Sequence, residues 1–256
     1  MRVKSLHIYP VKGCQSVDLT QSLITASGLA QDRCWMPVGA DGKVVLQWAL
    51  PVLASVKVEM TKDGIALSAP DMPNIRIATP DETAPALSIL LKKREMTARE
   101  ATGDAHAWFT QLLGAPCKLV YKQDALDGGN PVHIVTTASL EDFSHRMGGP
   151  LPVDRFRPNI VIEGASPWEE DLWQSLNVGG LDLDISKDCA RCMVIATDQL
   201  TGERAEDDGS PLAVLKSFRL KREPQPGSIF GRYAVPRGAG MIRVGDALSV
   251  KTSVAA

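Results

Sequence analysis

The residues best equipped for chemistry are two thiols three positions apart, Cys189 and Cys192, enclosing Ala190 and Arg191. Such a pair can be structural or incidental, and a zinc site would want a second pair that this sequence does not offer. A dithiol redox site should open a helix after a strand, whereas Cys192 to Thr197 reads as a β-run. Arg191 adds a fixed positive charge beside the thiols. That charge favours the thiolate, the form that coordinates a soft metal. A second cluster, Arg155-Phe156-Arg157-Pro158-Asn159, sets two guanidinium groups and an amide at the entrance of the β-run Asn159 to Glu163. Arginine forks match phosphate oxygens, although arginines beside a strand are often merely solvated. A third pairs Tyr9-Pro10-Val11-Lys12-Gly13-Cys14 with Gln31-Asp32-Arg33-Cys34-Trp35, each of which alone would pass for a turn.

The elements that must position these groups read as mostly β. Up to about residue 100, short β-like runs alternate with turns, and Asp41-Gly42 and Asp63-Gly64 are hairpin signals. Asp104 is expected to cap a helix whose Ala105, Trp108, Phe109, Leu112 and Leu113 share an apolar face ended by Gly114. A strand-like Lys118 to Tyr121 follows, then a loop, Asp127-Gly128-Gly129-Asn130-Pro131, and the strand-like Val132 to Thr136. A domain boundary near that loop divides the chain into 1–122 and 123–256. Beyond it come a helix from about Ala138 to Met147, β-runs Leu181 to Ile185 and Cys192 to Thr197, and a helix with Ser210 as cap and Pro211 at its first position. Met241 to Val250 reads as a final strand.

Composition bounds the function. At 256 residues with 44% hydrophobic and 23% charged side chains, a folded globular chain is expected rather than a disordered one. A net charge of -2 argues against a nucleic-acid partner, which would demand a basic face. No stretch is apolar enough for a signal-peptide core or a membrane span, so a cytoplasmic protein without a membrane partner is expected. Cys14, Cys34, Cys117, Cys189 and Cys192 read as free thiols.

Taken in order, Tyr9-Pro10-Val11-Lys12, Asp32-Arg33-Cys34-Trp35, Arg157-Pro158-Asn159, Cys189-Ala190-Arg191-Cys192, Asp198-Gln199-Leu200-Thr201-Gly202 and Val244-Gly245-Asp246 resemble one family. Its members carry an N-terminal MOSC β-barrel domain followed by a MOSC domain. They include the mitochondrial amidoxime-reducing component and bacterial reductases of N-hydroxylated bases. The resemblance spans nearly the whole chain. It implies a mainly β, α+β fold in which an N-terminal β-roll or barrel domain (1–122) packs on a MOSC β-barrel domain (123–256). It also implies a molybdenum-pterin cofactor with Cys192 as the thiolate ligand and catalytic residue. Lys12, Arg33, Arg157, Asn159 and Arg191 match the cofactor's polar and cationic contacts. Gly13, Gly129 and Asn130 match backbone contacts, the last two by anion-binding N–H groups. Pyridoxal phosphate binding attaches to the family description only, and no residue is assigned to it.

The implied activity is a two-electron reduction of N-hydroxylated small molecules: hydroxylamines, amidoximes and N-hydroxylated bases. Electrons would come from a separate ferredoxin-like or haem protein, because no cysteine follows Cys192. The basic residues Lys216, Arg219, Lys221 and Arg222 could dock such a donor or form a solvated helix face. Relatives tend to carry an aromatic residue where Cys34 stands and a Thr-Gln-Arg-like segment where this chain has Val45-Leu46-Gln47-Trp48, which could change the substrate pocket. Cys189 reads either as a second thiol near the metal or as a small buried residue. His7, His106, His133 and His145 show no metal or triad spacing and are given no role. Two other functions stay open: a sulfur-transfer or cofactor-carrier protein, and a non-enzymatic pterin-binding module.

Overall fold

The structure is a computed structural model that describes residues 1–123, 130–205, 209–222 and 226–252. Among them are three α-helices: α1 (Gly103–Leu113), α2 (Thr137–Arg146) and α3 (Pro211–Arg219). The rest is mainly strand. The expected α+β class holds, with an N-terminal β-barrel domain and a MOSC domain.

Period-two alternation decides which side chains reach the site. In Val132–Thr136, Val132 and Ile134 enter one apolar core, while Val135 enters a second core on the opposite face, the face that His133 shares. This strand lies inside a nine-stranded sheet. Its order is Leu248–Thr252, Trp173–Val178, Leu181–Arg191, Gly227–Pro236, Val132–Thr136, Ile160–Glu163, Arg2–Ile8 and Val17–Leu19, with Leu220–Lys221 attached to Gly227–Pro236. Val132–Thr136 and Ile160–Glu163 run parallel, and α2 lies in the connection between them. The sheet curls until Arg2 bridges Ala247 and Val3 N donates to Asp246 O at 2.9 Å. The first strand therefore pairs with Ile160–Glu163 far along the chain, and the two halves share hydrogen-bonded backbone.

The N-terminal half adds two sheets of its own. One orders Trp35–Gly39, Cys117–Tyr121, Arg94–Glu100 and Ala86–Leu91; the other orders Lys57–Met60, Gly64–Ser68 and Ile75–Ala78. Helix α1 buries Ala105, Trp108 and Phe109 against this region and ends at Gly114 in the left-handed conformation. A third small sheet joins Gly240–Arg243 to Gln21–Thr25 and Gly28–Leu29, again linking both ends of the chain.

Several local expectations need correction. Thr102, not Asp104, occupies the cap position of α1, and Asp104 sits inside the first turn. The run after Cys192 is a 3-10 helix, Met193–Ala196, rather than a strand. Its Ile195 packs with Val135, Phe143, Phe156, Leu215 and Phe230, and periodicity cannot tell a short buried apolar run from a strand. The strand starting at Leu181 continues to Arg191, and Met241 to Val250 divides into Gly240–Arg243 and Leu248–Thr252 around a Gly245 turn. The Ser210 cap of α3 is as expected, its side chain accepting from Ala213 N. No helix among the described residues is long and apolar enough to cross a membrane.

Candidate functional site

The chain turns sharply after Arg2–Ile8. Lys12 N donates to Trp35 O at 2.8 Å, and Gly13 follows with φ +90°. A Cβ there would lie 2.9 Å from Leu53 Cδ1, so a close approach and a positive φ both call for glycine. Arg33 also takes the left-handed conformation, with its N–H donating to Tyr9 O at 2.9 Å. The third such turn is at Arg157, φ 52°, where the 3-10 helix Val153–Phe156 ends just before Ile160–Glu163. Three left-handed turn residues, two of them non-glycine, thus aim three segments at one place.

A buried polar knot fixes them there. Asp32 Oδ1 accepts from Tyr9 N at 2.8 Å; Asp32 Oδ2 accepts from Asn159 Nδ2 at 3.0 Å and pairs with Arg33. Asn159 Nδ2 also donates to His7 O at 3.2 Å, and its Oδ1 accepts from His133 N at 3.1 Å. Arg157 Nη1 donates to Cys14 O at 2.7 Å and to Gln199 Oε1 at 3.2 Å. The Arg33 and Arg157 guanidinium carbons lie 4.9 and 4.1 Å from the centre of the Tyr9 ring. Burial pushes the Tyr9 phenol up, so it stays neutral, and its O–H donates to Pro158 O at 3.2 Å. Burial, followed by the neighbouring Arg33, pushes Arg157 down to about 10, which leaves it a cation at neutral pH.

The thiol pair ends the long strand Leu181–Arg191. Cys192, exposed, lies at the start of the 3-10 helix, its carbonyl accepting from Ile195 N at 3.2 Å. Cys189 is buried, and Arg191 Nη1 donates to its sulfur at 2.8 Å while Nη2 donates to Phe156 O at 2.8 Å. Arg191 thus grips the first thiol rather than the second. Burial alone would push the Cys189 thiol up, but the charge of Arg191, with His133 and Tyr233, holds it well below the ordinary thiol range.

These groups converge on one cavity of about 420 Å³. Lys12, Gly13, Arg33, Asn130, Arg157, Asn159, Arg191 and Cys192 all line it. Gly129, also expected at the site, lies outside the described residues. Arg155 is directed elsewhere, its Nη2 donating to Asp198 Oδ2 at 3.0 Å. Of the basic group around α3, Arg219 pairs with Asp171 and Lys221 with Asp188, so these two are engaged inside the fold rather than held on a solvated face.

The MOSC N-terminal beta barrel domain model matches residues 1–116, and the MOSC domain model matches residues 114–249. This chain belongs to the MOSC family. The mouse mitochondrial amidoxime-reducing component 1 is 30% identical over 95% of this MOSC chain and 80% of its own length. The human mitochondrial amidoxime reducing component 2 is 30% identical over 95% of this chain and 82% of its own length. The rice (Oryza sativa subsp. japonica) molybdenum cofactor sulfurase is 27% identical over 87% of this chain and 31% of its own length.

Sequence reasoning missed several residues of this MOSC site. His133 and Tyr233 line the cavity, their ring centres 5.4 Å apart, although His133 was expected to have no role. Parity along Val132–Thr136 could have found it, because His133 shares a face with Val135. Gln47 is buried and donates to Gly13 O at 2.8 Å and to Gln199 Oε1 at 2.9 Å. The Asp198-to-Gly202 motif closes on itself, Asp198 Oδ1 accepting from Leu200 N and Thr201 N at 2.9 and 3.1 Å. That turn places Gln199 against Arg157, a contact between positions 42 residues apart that no spacing signals.

Proposed function

We propose that this protein is a molybdenum-cofactor-dependent reductase of N-hydroxylated small molecules, supplied with electrons by a separate ferredoxin-like or haem protein. One observation carries the reading: the exposed Cys192 thiol opens into the same cavity as Lys12, Arg33, Arg157 and Arg191. The residues suit an anionic metal-pterin group. Among the described residues, Lys12, Arg33, Lys92, Arg157 and Arg191 line the cavity with a single carboxylate, Asp32, which is already paired with Arg33. Arg191 Nε is buried with no hydrogen-bond partner, a donor awaiting an acceptor. The names of the mouse and human relatives, amidoxime-reducing components, point the same way.

In this reading Cys192 ligates the metal as thiolate. Lys12, Arg33 and Arg157 hold the phosphate and ring, each charged contact contributing roughly 1.5 to 3 kcal/mol. Asn159 acts through Arg33 and Asp32, since its amide donors are committed to His7 O and Asp32. Gly13 and Asn130, with Gly129 beside it in sequence, are assigned backbone contacts. The bound cofactor supplies the two-electron chemistry of oxygen removal. Overall, an N–OH group takes up two electrons and two protons, and the N–O bond breaks to give N–H and water. The protein's share is binding, orientation and a field of fixed cations set by the buried knot.

A second reading, a cofactor carrier or sulfur-transfer protein with a persulfide on Cys192, is favoured by the similarity to the rice molybdenum cofactor sulfurase. Metal analysis of protein from molybdate-fed cells, with anaerobic reduction of amidoximes and hydroxylamines by an artificial donor, separates the two. About one molybdenum per chain and turnover that vanishes in Cys192→Ala is the expected result. Metal without turnover would favour the carrier; neither metal nor turnover would leave a non-enzymatic pterin-binding module.

A further inference from the structure

The cavity has two chemically different sectors, and the cofactor reading uses only the cationic one. Leu46, Trp48 and Val194 also line it, Val194 lying two residues after Cys192. Trp48 is 53% exposed, although an indole ordinarily gains stability by burial.

Its backbone, by contrast, is firmly held. Arg204 Nη1 donates to Trp48 O at 2.8 Å and Nη2 to Gln47 O at 3.1 Å, while Arg204 Nε donates to Thr197 Oγ1 at 3.1 Å. The buried Gln47–Gln199 amide pair ties the same segment to the turn that follows the thiols. At Gly202 of that turn a Cβ would lie 3.0 Å from Pro51 O, so the two segments are in close contact. A fixed main chain therefore presents a wide, half-exposed apolar ring to the cavity that holds Cys192.

The geometry points to Trp48, with Leu46 beside it, as a platform that selects substrates carrying a flat aryl or heteroaryl group. This specificity rests on the reductase reading. A flat π-system gains from stacking on an indole, whereas a small aliphatic group covers little of it. Pre-ordering of the platform by Arg204 and Gln47 reduces what the substrate must immobilise on binding.

The test compares the molybdenum-loaded parent with Trp48→Ala and Trp48→Phe on N-hydroxybenzamidine and N-hydroxyacetamidine, and measures binding of the products benzamidine and acetamidine by calorimetry. Trp48→Ala is expected to lower kcat/KM for the aryl substrate by at least about fivefold through KM, and to weaken benzamidine binding by a similar factor. The aliphatic substrate should change by no more than about twofold, and Trp48→Phe should retain the aryl preference. Equal losses on both substrates, or no loss on either, overturn the platform and leave the reductase standing. Should the loaded parent reduce neither compound, the reductase reading fails, and calorimetry then decides the platform by itself. Benzamidine binding that depends on Trp48 upholds it, and binding that does not overturns it.

Discussion

The cationic interior of the cavity and its mouth are held in opposite ways. Inside, Tyr9, Asp32, Arg33, Arg157 and Asn159 satisfy one another through hydrogen bonds, an ion pair and stacking on one ring. At the mouth, Cys192 and Trp48 are exposed and are positioned mainly by their backbones. Interior residues therefore serve fold and ligand together, so their loss should cost both. Mouth residues are fixed by their neighbours, so their loss should cost activity alone.

The sharpest separation is expected at Cys192. Cys192→Ala should remove all detectable turnover and retained molybdenum, while urea denaturation of the metal-free protein stays within about 0.5 kcal/mol of the parent, as an exposed side chain implies. A large loss of stability would erase the contrast between mouth and interior. Arg157→Leu should do the opposite and lower metal content and folding stability together. Two hydrogen bonds from a charged donor are lost, at roughly 1.5 to 3 kcal/mol each, so a loss of about 3 kcal/mol or more is expected by urea denaturation.

Gly13→Ala probes the turn that follows Lys12, where Gly13 O also accepts from Gln47 of the mouth segment. A positive φ and a 2.9 Å approach to Leu53 should cost about 1 to 3 kcal/mol in the same measurement. A stable Gly13→Ala protein would mean that the turn relaxes freely and does not set the position of Lys12.

The smallest expected effect lies behind the site, at Glu170. Burial pushes its carboxyl up, only partly offset by hydrogen bonds from Ser139 and Thr136. A raised carboxyl in the folded state means full stability where both states are protonated, lost progressively as pH rises through the raised value. Between about pH 5 and pH 8 the parent should thus lose stability that Glu170→Gln retains, read by denaturation at the two pH values. Parallel pH profiles for the two proteins would place the Glu170 carboxyl in its ordinary range.

Much of the site was legible because its chemistry is concentrated in side-chain types that have few other uses together. A thiol beside an arginine, an arginine before a proline-bounded strand and a lysine after a proline turn each announce themselves locally. His133, Gln47 and Gln199 do not, since an isolated histidine or glutamine carries no signal until a partner is known. The run Met193 to Ala196 misled for a related reason: an apolar tetrad is equally at home in a buried strand or a buried turn of helix.

By itself the sequence determined the mostly β class, the end of α1 at Gly114 and the start of α3 at Ser210, the free state of the cysteines and most of the cations that line the cavity. Those follow from side-chain chemistry and short-range backbone preference. Only the tertiary structure decided that Arg191 grips Cys189, that Arg155 turns away to Asp198, and that an exposed indole lines the cavity that holds Cys192. Each of these depends on contacts formed when distant segments pack. Burial and hydrogen-bond satisfaction, evaluated over the whole fold, choose among partners that local sequence leaves equivalent.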